Sequence, residues 1–164
     1  MKKEKIRILS LDVSSVSTGW CYSVGRRTAS SYGIIKTDPK LDISERLIIF
    51  KNELIRVLNK RSPTHVVIEN GFSGRNVKTL KVLTKFAGVA QECIKRETDI
   101  TPYVMNNKTV KSFFGVKTKR ELYDAVVEKH MFWTKGFKFK THNDIVDAWA
   151  QALCYYVTII EGEE

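Results

Sequence analysis

Residues 6–13 read Ile-Arg-Ile-Leu-Ser-Leu-Asp-Val, an aliphatic run interrupted by one acid near its end. The β-branched and aliphatic content predicts a strand buried on at least one face. Side chains alternate along a strand, so Asp12 shares a face with Ile6 and Ile8. A carboxylate beside such a face loses hydration worth several kcal/mol unless a cation or hydrogen-bond donors replace it. The pattern recurs at His65-Val66-Val67-Ile68-Glu69, where an apolar run again stops at an acid. Asp144 and Asp147 sit at i and i+3 at the head of an apolar C-terminal segment. Each of these acids has an ordinary structural account. Asp12 can cap a turn at a strand end, and Glu69 can be a loop acid. The run Thr141-His142-Asn143-Asp144 fits a capping box, with Asp144 supporting a helix N-terminus. Asp147, one turn on, still needs a reason to face the Ala148, Ala150 and Ala152 segment. Together, three carboxylate clusters at the edges of core elements point to one divalent-metal site.

The chain has 164 residues, enough for one domain with a proper core and too few for two ordinary ones. Lys and Arg number 28 against 18 Asp and Glu, a formal charge of +10, which favours a polyanionic partner such as nucleic acid. An anionic pocket in a basic surface suits a metal-dependent phosphodiesterase. Cys21, Cys93 and Cys154 are isolated in apolar surroundings and are expected to be reduced core residues. With no export signal or apolar span of about 18 residues, the expected setting is the cytosol of a bacterium or of a virus-infected cell, with no membrane partner.

Beyond the first strand, residues 14–19 are a polar turn, and strands are expected at residues 20–24 and 31–37 in an antiparallel meander. Residues 43–58 carry apolar side chains at helical spacing, and a fourth strand spans residues 65–69. After a loop at residues 71–75, a long helix over residues 77–96 bears Lys78, Lys81 and Lys85 as a basic stripe. That stripe is a solvated face by default and a DNA contact in the alternative. A fifth strand over residues 101–105, helices at 106–114 and 119–132, a mobile loop at 133–141 and a last helix at 144–160 complete the order. The expected class is α/β, a five-stranded mixed sheet with an antiparallel meander and parallel strands, flanked by helices.

Oxygen ligands of this kind suit Mg²⁺, with Mn²⁺ able to substitute. Two such ions activate water and stabilise the leaving oxygen in phosphodiester cleavage, so no nucleophilic side chain is required. His65, His130 and His142 are scattered, and the serines near Asp12 have no evident base.

In order and spacing the chain resembles the RuvC family of Holliday-junction resolvases, within the ribonuclease H-like superfamily. The resemblance rests on Leu11-Asp12-Val13 with Thr18-Gly19, and on Val67-Ile68-Glu69-Asn70-Gly71-Phe72 with the following helix. It also rests on Val110-Lys111 with Gly115, and on Asp144-Ile145-Val146-Asp147-Ala148. It implies that residues 1–164 form a single nuclease domain with Asp12, Glu69, Asp144 and Asp147 as metal ligands and two Mg²⁺ per site. Phe72 is similar to the family's base-stacking aromatic, a core residue being the alternative. Lys111 and one of Lys119 or Arg120 resemble its basic residues beside the scissile phosphate. Arg75, Lys78, Lys81, Lys85 and Lys108 are further candidate DNA contacts. The implied partners are a four-way junction or other branched DNA and a second copy of the chain, packed through the helix after Glu69. The sequence does not specify a branch-migration helicase. Two departures stand out: Asp12-Val13-Ser14-Ser15 replaces the usual Asp-Pro-Gly, and the segment between Lys111 and Lys119 is offset. Both look like the divergent phage and viral branch. A ribonuclease H or RNA-processing nuclease, and a non-catalytic junction binder, are the competing readings. The four intact acids argue against the binder.

Overall fold

The fold is built around one mixed sheet, described here from a computed structural model covering residues 5–25, 29–70 and 76–162. Strands β1 (Arg7–Asp12), β2 (Ser17–Val24), β3 (Ala29–Lys36), β4 (His65–Asn70) and β5 (Tyr103–Asn106) lie in the order β3-β2-β1-β4-β5. β1 pairs antiparallel with β2, and β2 with β3, whereas β1–β4 and β4–β5 are parallel. The helices are α1 (Ile43–Arg61), α2 (Val77–Thr98), α3 (Asn107–Phe114), α4 (Lys119–Lys129), α5 (Met131–Thr134) and α6 (Phe139–Tyr155). A widened π-helical turn, Tyr156–Ile160, follows.

Strand alternation divides the core in two. Ile8 and Val67 face the layer containing Val146, Ala148 and Trp149 of α6, with Val110 and Leu122 beside them. Leu9, Leu11, Val66 and Ile68 face Phe50 and Leu54 of α1 and Phe86 and Ala90 of α2. Both faces of β1 and β4 are thus covered, which is why these strands read as near-continuous apolar runs. Cys21, Cys93 and Cys154 are free and buried, and burial pushes the Cys21 thiol well up.

Several boundaries differ from those read in the sequence. β2 starts at Ser17 because the turn after β1 closes within residues 13–16: Thr18 Oγ1 accepts from the Ser14 backbone N–H at 3.0 Å and donates to its carbonyl at 2.9 Å. Residues 133–141 are not one mobile loop. Trp133 packs against Tyr32, Phe137 and Trp149 at centroid distances of 5.8, 5.5 and 5.6 Å, and aromatic burial anchors the segment. α6 begins at Phe139, so the capping box expected at Thr141 does not form. Instead the Lys138 backbone N–H donates to His142 Nδ1 at 3.0 Å. Asp144 therefore lies inside the helix, released from capping.

Candidate active site

Register places the first two acids side by side. Leu11 pairs with Ile68, so Asp12 and Glu69 emerge together where the parallel strands β1 and β4 end. Both have the parity of Ile8 and Val67 and so face α6. α6 crosses this edge with Asp144 and Asp147 on its inner side. Oxygens of Asp12, Asp144 and Asp147 all lie within 4.8 Å of one another.

A close helix–sheet approach makes this possible. A Cβ on Gly19 would sit 2.2 Å from the Asp144 carbonyl oxygen, so only glycine lets the α6 backbone settle on β2 there. Gln151, one turn beyond Asp147, bolts α6 to the sheet. Its buried Nε2 donates to Ser10 Oγ at 2.7 Å and to the Leu11 carbonyl at 3.2 Å. Arg46 braces the turn beyond Asp12, donating to the Ser15 carbonyl and, at 3.2 Å, to Thr37 Oγ1. Ser17 Oγ donates to Asp144 Oδ2 at 2.9 Å. Asn107, at the start of α3, donates through Nδ2 to Glu69 Oε1. Of these five supports Gly19 belongs to the Thr18-Gly19 motif read in the sequence, whereas Gln151, Arg46, Ser17 and Asn107 were not singled out there. Their signals are single residues, small, amide or, at Arg46, cationic, whose partners lie up to 141 positions away.

The charges are strongly interdependent. Burial pushes the Asp12 carboxyl well above its usual range, the hydrogen bond and charge of Glu69 and the charge of Asp147 add to this, and Lys119 opposes it. Burial also raises Asp147, to about 6, against the pull of Lys119. Lys119 projects from the first residue of α4, where Thr118 and Glu121 form a capping box. Its Nζ lies 2.6 Å from Asp147 Oδ2, 3.0 Å from Asp144 Oδ1 and 3.7 Å from Asp12 Oδ2. Burial would depress its pKa, but the charges of Asp147, Asp12 and Asp144 outweigh that and raise it.

One ammonium does not satisfy this site. Asp147 Oδ1 is buried without a hydrogen-bond partner, a costly state for a carboxylate oxygen unless a cation takes it. An all-oxygen donor set with unmet negative charge fits a hard divalent cation. Asp12, Asp144 and Asp147 are grouped so that they could hold one, with Glu69 lining the same cleft of about 460 Å³.

The other candidates divide by location. Lys108 and Lys111 of α3 line this cleft. Arg120 turns away, bonded to Asp124 at 2.9 Å and lying over the Phe139 ring at 5.0 Å, so Lys119 is the basic residue of α4 that reaches the acids. Lys78, Lys81 and Lys85 are exposed on α2 and do not line the cleft. Phe72 and Arg75 lie outside the described residues.

The mixed sheet with a carboxylate cluster at its edge fits a divalent-metal-dependent nuclease. The profile of the family "Crossover junction endodeoxyribonuclease RuvC" matches residues 8–155. The chain belongs to that family. It is 28 % identical over 151 residues to RuvC of Synechocystis sp., covering 90 % of this chain and 89 % of that one. RuvC of Wolbachia pipientis wMel is 29 % identical over 161 residues, covering 93 % and 95 %. In fold the chain is similar to Thermus thermophilus RuvC in complex with Holliday junction substrate, with TM-score 0.78 at 17 % identity over 96 % of this chain and 97 % of that one. It is also similar to the fowlpox virus resolvase in complex with substrate Holliday junction DNA, with TM-score 0.59 at 15 % identity over 94 % and 99 %. Among the described residues, no helix is long and apolar enough to cross a membrane.

Proposed function

We propose that this chain, as a single nuclease domain, resolves four-way DNA junctions in the cytosol by hydrolysing one phosphodiester in each of two opposed strands with Mg²⁺. The observation that carries the reading is the convergence of Asp12, Asp144 and Asp147 within 4.8 Å, with a buried Asp147 oxygen left unpartnered. Asp12, Glu69, Asp144 and Asp147 would hold two ions, which supply an activated water and neutralise the leaving oxygen. Lys119, which contacts Asp147, Asp144 and Asp12, would turn from these carboxylates to the scissile phosphate with cations bound. Lys108 and Lys111, three residues apart on α3, line the cleft and bind phosphates beside the scissile one, where positive charge stabilises the charge that develops in the reaction. Phe72, three residues beyond Glu69, stacks on a base already unpaired at the branch point.

A two-fold junction calls for a two-fold enzyme. A shallow apolar patch on α2, lined by Val77, Leu80, Lys81, Thr84 and Lys85, with Val77 67 % exposed, supports a homodimer packed through that helix.

The test is cleavage of end-labelled four-way junction, fork, RNA–DNA hybrid and linear duplex, with and without Mg²⁺. Paired nicks on the four-way junction that require Mg²⁺, and that vanish in Asp12→Asn and Glu69→Gln while binding persists, are expected. Cleavage of the hybrid without the junction would transfer the chain to a ribonuclease H-type activity. Near wild-type cleavage in either variant would remove the metal-site assignment. Phe72→Ala should lower junction cleavage about tenfold, since stacking is worth about 1–3 kcal/mol. An equal loss on branched and linear DNA would make Phe72 a core residue.

A further inference from the structure

We infer that Asn107 is a positioning residue of the metal centre: its side-chain amide holds the Glu69 carboxylate in ligating orientation from the first turn of α3. The inference rests on the metal-binding reading of Glu69 given above.

The geometry has three parts. Asn107 is the first residue of α3, directly after β5, and β5 pairs in parallel with β4 so that Met105 lies opposite Glu69. That register carries the start of α3 over the end of β4, and Asn107 Nδ2 donates to Glu69 Oε1. A carboxylate accepts and does not donate, so the amide nitrogen must be the group that faces it. An N–H bound to an ionised carboxylate is roughly twice as strong as a neutral hydrogen bond, and it fixes which oxygen points elsewhere. Glu69 has three side-chain torsions, so without that anchor it would lose orientation more readily than the shorter aspartates.

The second part is the other end of the amide. Asn107 Oδ1 is buried and has no hydrogen-bond partner, as is true of Asp147 Oδ1. Most buried amides have both ends bonded, so an orphaned end beside the cleft is informative. Here N-capping of α3 already belongs to Asn106, whose Oδ1 accepts from the Lys108 N–H at 2.9 Å. Asn107 is therefore free of that duty.

The third part is shared space. Asn107 and Asp147 both line the active-site cleft, and both also line a cavity of about 10 Å³ behind it, with Glu69 and Gln151. An acceptor at this place suits a donor from a cation's hydration shell. Groups that orient metal-bound carboxylates in this way typically change metal affinity or turnover by about 10–100-fold when removed.

The experiment compares wild type, Asn107→Leu, Asn107→Ala and Glu69→Gln. Mn²⁺ binding to the DNA-free protein is read by electron paramagnetic resonance of the free ion, alongside thermal melts in chelator and kcat and KM on a four-way junction with Mg²⁺. Both Asn107 variants are expected to bind Mn²⁺ at least about tenfold more weakly and to lose kcat with KM little changed. Their melting temperatures in chelator should stay close to wild type, because the lost contact serves the metal. Unchanged Mn²⁺ affinity in both Asn107 variants, with Glu69→Gln weakened, would overturn the positioning role alone. Unchanged affinity in Glu69→Gln would overturn the reading of Glu69 on which it rests. Unfolding of both Asn107 variants would show that the contact holds α3, and would likewise overturn the proposal.

Discussion

Replacing Asp147 with asparagine should stabilise the metal-free protein at alkaline pH while removing its response to metal. Asp147 is 9 % exposed, and burial with the charges of Glu69 and Asp144 raises its carboxyl to about 6 from the ordinary 3.8, even with Lys119 beside it. At about 1.36 kcal/mol for each tenfold in proton affinity, the ionised group costs the folded state up to about 3 kcal/mol above pH 7. The sign follows from linkage. An acid whose folded pKa exceeds its unfolded one contributes its full stability below 3.8 and loses it as the pH climbs through about 6. Asparagine imitates the protonated acid, so the variant should match wild type near pH 4 and exceed it near pH 8. The lost contact to the Lys119 ammonium is already contained in the value of about 6. For a chain of this length, about 3 kcal/mol corresponds to roughly 6–12 °C in melting temperature. The assay is a pair of pH series of thermal melts in chelator, repeated with Mg²⁺. Groups outside the carboxylate cluster and Lys119, His130 among them, cancel in the difference. Wild type at pH 8 should recover stability with Mg²⁺, by about 2.7 kcal/mol at a hundredfold excess over Kd, and the variant far less. A variant that melts at or below wild type at pH 8 in chelator would refute the reasoning. So would one that gains as much from Mg²⁺.

Four further outcomes follow from the same geometry. Gly19→Ala drives a methyl into the Asp144 carbonyl and should cost about 1–3 kcal/mol in urea unfolding together with most cleavage activity; retention of both would mean that α6 is less closely seated. Gln151→Leu strands buried partners at Ser10 and Leu11 and should cost about 1–3 kcal/mol, a loss that unchanged urea midpoints would contradict. Lys119→Met removes the ammonium competing for the acids, so DNA-free Mn²⁺ binding should tighten while junction cleavage falls; weaker Mn²⁺ binding would show that Lys119 organises the site instead. Lys111→Ala should weaken junction binding and flatten its salt dependence, whereas Arg120→Ala, held by Asp124 and Phe139, should do neither, and equal effects would place Arg120 on the DNA.

The sequence by itself determined the sheet and the acids. β1 and β4 are buried on both faces and must be aliphatic, so a carboxylate ending each run is conspicuous against its neighbours. Helical spacing likewise revealed α1 and α2, whose apolar stripes repeat every three or four residues. What the tertiary structure alone decided is which polar groups serve those acids. Lys119 and Arg120 are adjacent and chemically similar, and only the start of α4 at Lys119, with Asp124 and Phe139 waiting for Arg120, sends one to the carboxylates and the other away. Asp144 fits a capping box equally well on paper. His142 and the packed aromatics Trp133 and Phe137 start the helix one turn earlier and free it for the site. Gln151, Asn107 and the space above Gly19 leave no periodic or compositional trace, because a single contact across 141, 38 or 125 positions of chain is specified by the packed backbone and not by its neighbours in sequence.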